Sequence, residues 1–478
     1  MRDPKVGLIT FGDDRAHEWE AVFRGLTEPR HLDARRRLTG FPISLESAES
    51  VARTKEDIDA QVGELRRAGV EVFVAHVPCW TSPNLVVRAV QALGLPTVLL
   101  SNRSAGTHGT VALLGAGGAL DQIGIPHLRV REDIASDEVE QMLLPFFRAA
   151  STVARLRGEV FGLFGGRSLG IDTGTFDPMQ WRELFGIDVE HIDQLEIVRR
   201  AEAISDQEGD TATKWLTDRV GAIAYGDTLT PSKLSFQVRC FLATKEIIRE
   251  KGLDFVAVKC MPDLSTHFVP QCITAALLPS PYDESGPRDS IVMACEADGD
   301  GALTAEVLKH VSGGHPTLFA DVSYLNDATE TLYLPNCGAM CSWYAARSED
   351  PVENLKRIEL RPAMRPGGGS NTYFHAAPGP VTLARLFRRS GRYHLAIAPA
   401  MMVEPSVEEI DAFVAARGPH QLPTAFVKLN VGFDRLIREL GSNHISGVDG
   451  DYVDELEHVC RLLDIVPIVL DDSRVSRP

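Results

Sequence analysis

Two carboxylates and one imidazole have the types and positions to do chemistry. Glu296 follows the apolar run 291–294, and Asp321 ends the apolar segment 318–320. Each acid therefore sits at the carboxyl end of an expected strand, where ligands collect in parallel α/β sheets. His444 lies in Gly441-Ser442-Asn443-His444, a polar loop after a helical segment. Taken singly, these residues read as a helix cap, a solvated acid and an ordinary loop histidine. Taken together, they make a small oxygen-rich site with open positions. Such a set suits Mn²⁺ or a similar divalent ion better than structural zinc, which prefers four closed nitrogen and sulfur ligands.

Three glycine-rich stretches suggest other chemistry, and each lacks a necessary part. Leu114-Gly115-Ala116-Gly117-Gly118-Ala119-Leu120 resembles a dinucleotide fingerprint, but Leu120 stands where the third glycine belongs and the motif follows no early strand, so a close-packed helix is expected. Gly165-Gly166-Arg167-Ser168 follows a strand and could approach an anion, yet it has no P-loop lysine. Asp298-Gly299-Asp300-Gly301 looks like the start of a calcium loop, but its twelfth position is Lys309 where a bidentate glutamate is required.

The elements that must position these residues alternate along most of the chain. Continuous apolar runs at 6–11, 72–77 and 97–100 predict buried parallel strands, and 56–68 and 83–93 carry helical spacing between them. A helix over 137–156 leads into a second series, with strands at 160–164, 222–225, 255–258 and 291–294 and a helix over 233–251. That alternation predicts two doubly wound parallel-sheet α/β domains, 1–153 and 154–312, the second carrying Glu296. Beyond 313, glycine and proline become denser and the segments become short strands, such as 395–398 and 425–429, before a helix at 452–463. This predicts a β-rich, barrel-like C-terminal domain over 313–478 that carries His444.

A chain of 478 residues with 44% hydrophobic and 24% charged residues has the composition of a multi-domain globular protein. A net charge of −17 argues against nucleic acid or an anionic membrane as the main partner. Arg35-Arg36-Arg37 is too short to alter that and reads as a solvated face. No run approaches the ~18 apolar residues of a membrane span, and the N-terminus has no export signal pattern. The eight cysteines are scattered, and only Cys337 and Cys341 lie close together, without a second pair to complete a zinc site. A reduced, cytoplasmic protein is expected.

The residues also resemble a known family. Met293-Ala294-Cys295-Glu296-Ala297-Asp298 is similar to the segment of L-fucose isomerases that supplies a metal-binding glutamate. Phe319-Ala320-Asp321-Val322 resembles the segment supplying the aspartate, and Asn443-His444 the pair in which His binds the metal and Asn touches the sugar. Further landmarks occur in order: Gly12-Asp13-Asp14-Arg15, Trp80-Thr81-Ser82-Pro83-Asn84, Gly165-Gly166-Arg167-Ser168, Val258-Lys259-Cys260 and Pro378-Gly379-Pro380-Val381-Thr382-Leu383-Ala384-Arg385. The resemblance extends over most of the chain. Two features depart from it: the chain is short for an L-fucose isomerase, and Asn336 stands where related sequences often have the His of His-Cys-Gly.

The resemblance implies an aldose–ketose isomerase that takes Mn²⁺, or another divalent cation such as Mg²⁺ or Co²⁺, on Glu296, Asp321 and His444. It further implies that Glu296 and Asp321 serve as acid and base in an enediol route, a hydride shift being the competing mechanism. It also implies a homo-oligomer, hexameric, with each active site near a subunit boundary. Arg15, Trp80, Arg167, Lys259 and Tyr373 are the candidate contacts to the far end of the sugar, and Asn443 is a further substrate contact. The ligand set does not distinguish a neutral fucose- or arabinose-like sugar from a sulfonated hexose. A metal-dependent aldolase and a non-catalytic sugar-binding protein are the alternative readings.

Overall fold

Runs of aliphatic residues long enough for one strand, with helical stretches between them, bury both faces of a parallel sheet. In the computed structural model, which describes residues 3–417 and 422–474, this happens twice. The chain divides into two compact units, Met1–Ala154 with Glu457–Leu462, and Arg155–Leu456 with Leu463–Pro478.

The first unit holds β1 (Lys5–Thr10), β2 (Ser44–Ser47), β3 (Val72–His76), β4 (Thr97–Ser101) and β5 (His127–Arg131) in one parallel sheet, ordered β2-β1-β3-β4-β5. Alternate residues of β3 feed two cores. Phe73 and Ala75 pack with Ile58, Leu85 and Leu113, whereas Val72 and Val74 pack with Leu38, Phe146 and Phe147. The glycine-rich run 114–120 lies inside the helix Gly109–Gln122, and at Gly117 a Cβ would collide with the Arg129 guanidinium. Gly115, whose Cβ would meet Pro83, and Gly117 thus serve close packing, whereas a Cβ at Gly118 would meet open space.

The second unit contains, in chain order, β6 (Val160–Phe164), β7 (Asp188–Ile192), β8 (Ala222–Ile223), β9 (Phe255–Val258), β10 (Tyr282–Asp283), β11 (Gly286–Pro287), β12 (Met293–Cys295), β13 (Thr317–Asp321), β14 (Tyr324–Asn326) and β15 (Thr331–Pro335). It continues with β16 (Glu359–Pro362), β17 (Ser370–Tyr373), β18 (Gly379–Arg389), β19 (Arg392–Met402), β20 (Thr424–Leu429), β21 (His444–Asp449) and β22 (Val466–Val469). A parallel sheet runs β12-β9-β6-β7, and a curled antiparallel half-barrel runs β13-β21-β18-β19-β20-β15-β14, with β22 alongside β19.

Two sequence expectations are corrected here. The run 222–225 does not join the parallel α/β sheet; its ordered part, β8, is two residues long and pairs with β16 in a separate sheet, β17-β16-β8. A short apolar run specifies a strand but not its partner. The segment expected as a short strand at 395–398 lies within an 11-residue strand that pairs with the 11-residue β18 along its whole length.

The helix Gly299–Val311 packs against β9 and β12 of the parallel sheet and against β13, β18 and β21 of the antiparallel one. Every residue from Gly299 to Leu308 is buried, so this helix is the shared core of the unit. Among the described residues, no helix is long and apolar enough to cross a membrane.

Candidate active site

Glu296, Asp321 and His444 reach the same place from three elements of the second unit. Glu296 is the first residue after β12, beside the end of β9. It and Ala297 adopt left-handed backbone conformations, with φ of 59° and 56°. Such angles cost non-glycine residues about 1–3 kcal/mol each and persist only where the surroundings impose them. Here the Ala297 amide donates to the Val258 carbonyl and the Asp298 amide to that of Cys295, which turns the chain off the sheet edge. Asp321 ends β13, and His444 begins β21; the two are direct cross-strand partners in antiparallel register.

The geometry centres on the imidazole. Nε2 of His444 lies 3.2 Å from Oε2 of Glu296 and 3.3 Å from Oδ1 of Asp321. Nδ1 lies 2.7 Å from Oδ2 of Asp298. His444 is 1% exposed, Glu296 9%, and the Asp321 side chain 33%, so Asp321 opens the group to solvent. The Phe319 ring packs 4.9 Å from the imidazole, two residues before Asp321 and on the same face of β13. Asn336, where the sequence departs from the family pattern, is buried and donates 2.9 Å to the Phe319 carbonyl, which ties β13 in place.

Asp298 holds the imidazole from behind. Its Oδ1 accepts from the Gly301 amide at 2.8 Å, capping the helix Gly299–Val311, and from Nη2 of Arg385 at 3.0 Å. Its Oδ2 accepts from Nη1 of Arg385 at 2.6 Å and faces His444. Burial alone would raise the Asp298 pKa, but Arg385 and His444 outweigh it and hold the carboxyl at about 2. Burial likewise opposes a charge on His444, and hydrogen bonds to Asp298, Asp321 and Glu296 outweigh it, pushing the imidazole up to about 11.

The same negative surroundings that retain a proton would retain a metal cation. One ring nitrogen faced by two carboxylates, with the other ring nitrogen bound to a third, matches the arrangement in which a carboxylate orients a metal-ligating histidine. The donor set of one imidazole and two carboxylates fits Mn²⁺, Mg²⁺ or Co²⁺.

The other sequence candidates are placed as follows. Lys259 follows β9 and pairs with Asp263 at 2.7 Å, and Arg167 follows β6 and pairs with Asp172; both lie at the carboxyl edge of the sheet that carries Glu296. Asn443 accepts from the Thr173 hydroxyl at 2.9 Å. Tyr373, on β17, has its ring 3.6 Å from the Arg361 guanidinium, and its hydroxyl bonds His375 at 3.2 Å. Arg15 and Trp80 belong to the first unit, where Arg15 grips the buried Asp13 bidentately at 3.0 and 2.7 Å. Trp80 packs against Trp19, Phe23 and Cys79, and its buried indole N–H has no partner among the described residues. The Arg15 guanidinium lies 6.0 Å from the centre of the Trp80 ring.

Sequence reasoning did not assign a role to Asp298 or Arg385. The signal for Arg385 was a lone charge in the otherwise apolar run 381–387, because a buried charge must find a partner.

Comparison with known proteins adds family information. The family model for the L-fucose isomerase first N-terminal domain matches residues 3–158, and that for the L-fucose isomerase C-terminal domain matches residues 334–469. His444 lies within the second stretch; Glu296 and Asp321 lie outside both. A protein named sulfoquinovose isomerase from Alkalicoccus urumqiensis is 26% identical over 204 residues, 42% of this chain and 43% of that one. One of the same name from Clostridium sp. (strain MSTE9) is 25% identical over 253 residues, 52% and 54% of the two chains. An L-fucose isomerase from Vibrio vulnificus is 22% identical over 318 residues, 60% and 54% of the two chains. The chain spans about half the length of the curated relatives it matches.

Proposed function

Because the chain belongs to the L-fucose isomerase family, we propose that it is a divalent-metal-dependent aldose–ketose isomerase acting on a monosaccharide through an enediol. The observation that carries this reading is the convergence of Glu296 and Asp321 on Nε2 of an imidazole whose Nδ1 is engaged by Asp298. Glu296, Asp321 and His444 would hold Mn²⁺, or Mg²⁺ or Co²⁺ in its place. An ion held there would supply Lewis-acid stabilisation of the charge that develops on the sugar oxygens, worth several kcal/mol.

The chain's own residues then move the protons. In the aldose-to-ketose direction, one carboxylate of the Glu296–Asp321 pair takes the proton from C2. A proton is returned to C1, and the O2 proton passes to O1, so the carbonyl moves from C1 to C2 with no net gain or loss of atoms. A positioned acid or base of this kind contributes about 10²–10⁴-fold in rate. Asn443, beside His444 and held by Thr173, is assigned to a sugar hydroxyl. Lys259, Arg167, Tyr373, Arg15 and Trp80 are assigned to the distal end of the sugar. Eight free cysteines support a reduced, cytoplasmic setting. A hexameric assembly completing each site near a subunit boundary is part of the same reading, and sedimentation of an active monomer would remove it.

The test is isomerisation of a panel of aldoses after chelation and metal restoration. Activity should vanish with EDTA and return best with Mn²⁺. Solvent deuterium should appear at the product carbon in D₂O; its absence would replace the enediol by a hydride shift. The relatives' names put both neutral and sulfonated hexoses on the panel. A guanidinium binds a sulfonate bidentately. Loss of turnover of the sulfonated sugar in Arg15→Ala, with the neutral one unaffected, assigns the acidic substrate. No turnover of the sulfonated sugar, with equal neutral-sugar kcat/KM in both proteins, assigns the neutral one.

A further inference from the structure

Arg385 is a fully buried cation on β18, far from either end of the strand, and its use in the fold is unusual. A buried ion pair gains little over apolar residues of similar volume, because desolvating both charges costs about as much as their attraction returns. The pair with Asp298 is also incomplete as a structural device, since Nε of Arg385 is buried with no partner among the described residues. A helix cap does not require it either: Asp298 needs only Oδ1 to accept from the Gly301 amide.

What the guanidinium does accomplish is positional. Through Nη1 and Nη2 it fixes the Asp298 carboxylate, which meets Nδ1 of His444. Through Nη2 it also donates 2.7 Å to the Thr173 carbonyl, and the Thr173 hydroxyl donates 2.9 Å to Asn443. One side chain thus governs two adjacent residues, His444 and Asn443. The space for it is made by glycine. A Cβ at Gly301 would lie 2.6 Å from both Nη1 of Arg385 and the Phe319 ring, and one at Gly174 would lie 3.2 Å from Cα of Asp298.

We propose that Asp298 and Arg385 are positioning residues: Asp298 holds the Nδ1–H of His444 so that Nε2 presents its lone pair to the metal, and Arg385 sets Asp298 and the Thr173–Asn443 arm together. This rests on the metal-site reading above. Asp298 acts on metal affinity, whereas Arg385 acts on metal affinity and on sugar binding. Partners of this kind change metal affinity by about 10–100-fold when removed.

The experiment is Mn²⁺ titration of the metal-stripped full chain, with free Mn²⁺ read by EPR, for wild type, His444→Ala, Asp298→Asn and Arg385→Lys. Asparagine caps helices as well as aspartate does, so Asp298→Asn retains the cap and removes the charge. We expect its Mn²⁺ dissociation constant to rise about 10–100-fold. We expect Arg385→Lys, which keeps the charge and loses the fork, to weaken Mn²⁺ binding and also to raise KM for the sugar at saturating Mn²⁺, while Asp298→Asn leaves that KM near wild type. A lost structural contact would lower Tm in both variants without this division. Folded variants that bind Mn²⁺ within twofold of wild type overturn the inference. If Asp298→Asn does not fold, Arg385→Lys decides by the same two readings. Wild type that binds no Mn²⁺, or binds it equally in His444→Ala, removes the metal-site reading itself.

Discussion

Among its described residues the second unit has two imidazoles each flanked by a pair of carboxylates, and the proposed function places a metal at only one of them. Nε2 of His444 faces Glu296 and Asp321 at 3.2 and 3.3 Å; Nε2 of His310 faces Glu159 and Glu306 at 2.7 and 3.2 Å. By distance the His310 group is the tighter, and its three ligand atoms lie within 4.8 Å of one another. Charge separates the two. Lys309 pairs with Glu306, so with a protonated imidazole the two acids of that group meet two cations. Around His444 there are three acids, of which the guanidinium of Arg385 pairs with Asp298, so even a protonated imidazole leaves one negative charge uncompensated. The His310 group is also closed, with Glu306 fully buried and the other two side chains 12–13% exposed, whereas Asp321 is one-third exposed. On the proposed reading, residual charge and an open side, rather than the proximity of ligand atoms, set the His444 group apart.

The largest effect should come from Glu296→Gln, which keeps the shape and removes one charge and one base. Its kcat should fall by about 10²–10⁴-fold with the fold retained. Steady-state assay with Mn²⁺ present checks this, and normal turnover would mean that the two groups do not differ as argued.

His310→Gln should do the reverse. It breaks a buried charge cluster and should cost about 3–5 kcal/mol in urea unfolding while leaving the Mn²⁺ stoichiometry and kcat unchanged. A lower stoichiometry in this variant would make the His310 group a metal site as well.

A pH series sharpens the same contrast. Burial opposes the charge on His310, but Glu159 and Glu306 outweigh it and raise the imidazole from 6.5 to about 9. Because the folded value lies above the unfolded one, this contribution is complete below pH 6.5 and is lost as pH rises to about 9. Stability therefore falls as pH rises through that window. Unfolding midpoints of wild type should decline over this range, and those of His310→Gln should not show that component.

The smallest effect is expected from Gly301→Ala, which places a methyl against Nη1 of Arg385 and the Phe319 ring. Overpacking of this kind costs about 1–3 kcal/mol. Because the displaced group supports Asp298, the Mn²⁺ dissociation constant should rise as well. Stability loss with an unaltered constant would separate packing from positioning.

Much of the fold was legible because burial on both faces leaves a plain signature. The continuous apolar runs at 160–164 and 255–258 are β6 and β9, and the amphipathic stretch 83–93 is the helix Pro83–Leu93. The failed calcium loop at Asp298 and the failed nucleotide fingerprint at 114–120 proved to be a helix cap and a helix interior. The run 222–225 misled because two to four apolar residues indicate an extended segment without naming the strand it pairs with. The length of the β18–β19 pair was hidden because Arg385, Arg388 and His394 interrupt the apolar pattern by which a strand is read.

Residue type and hydrophobic period are local properties of the chain, so they were enough to single out candidate residues and to place parallel α/β elements before a β-rich region. They also put Glu296 and Asp321 at strand ends, since the apolar runs stop just before them or at them. Tertiary structure alone decided that Asp321 and His444 are opposite each other across two antiparallel strands, and that Arg385 reaches Asp298 and through it His444. Those relations depend on register and on which elements share a core. Both are set by long-range packing around the helix Gly299–Val311, to which every element of the group is anchored.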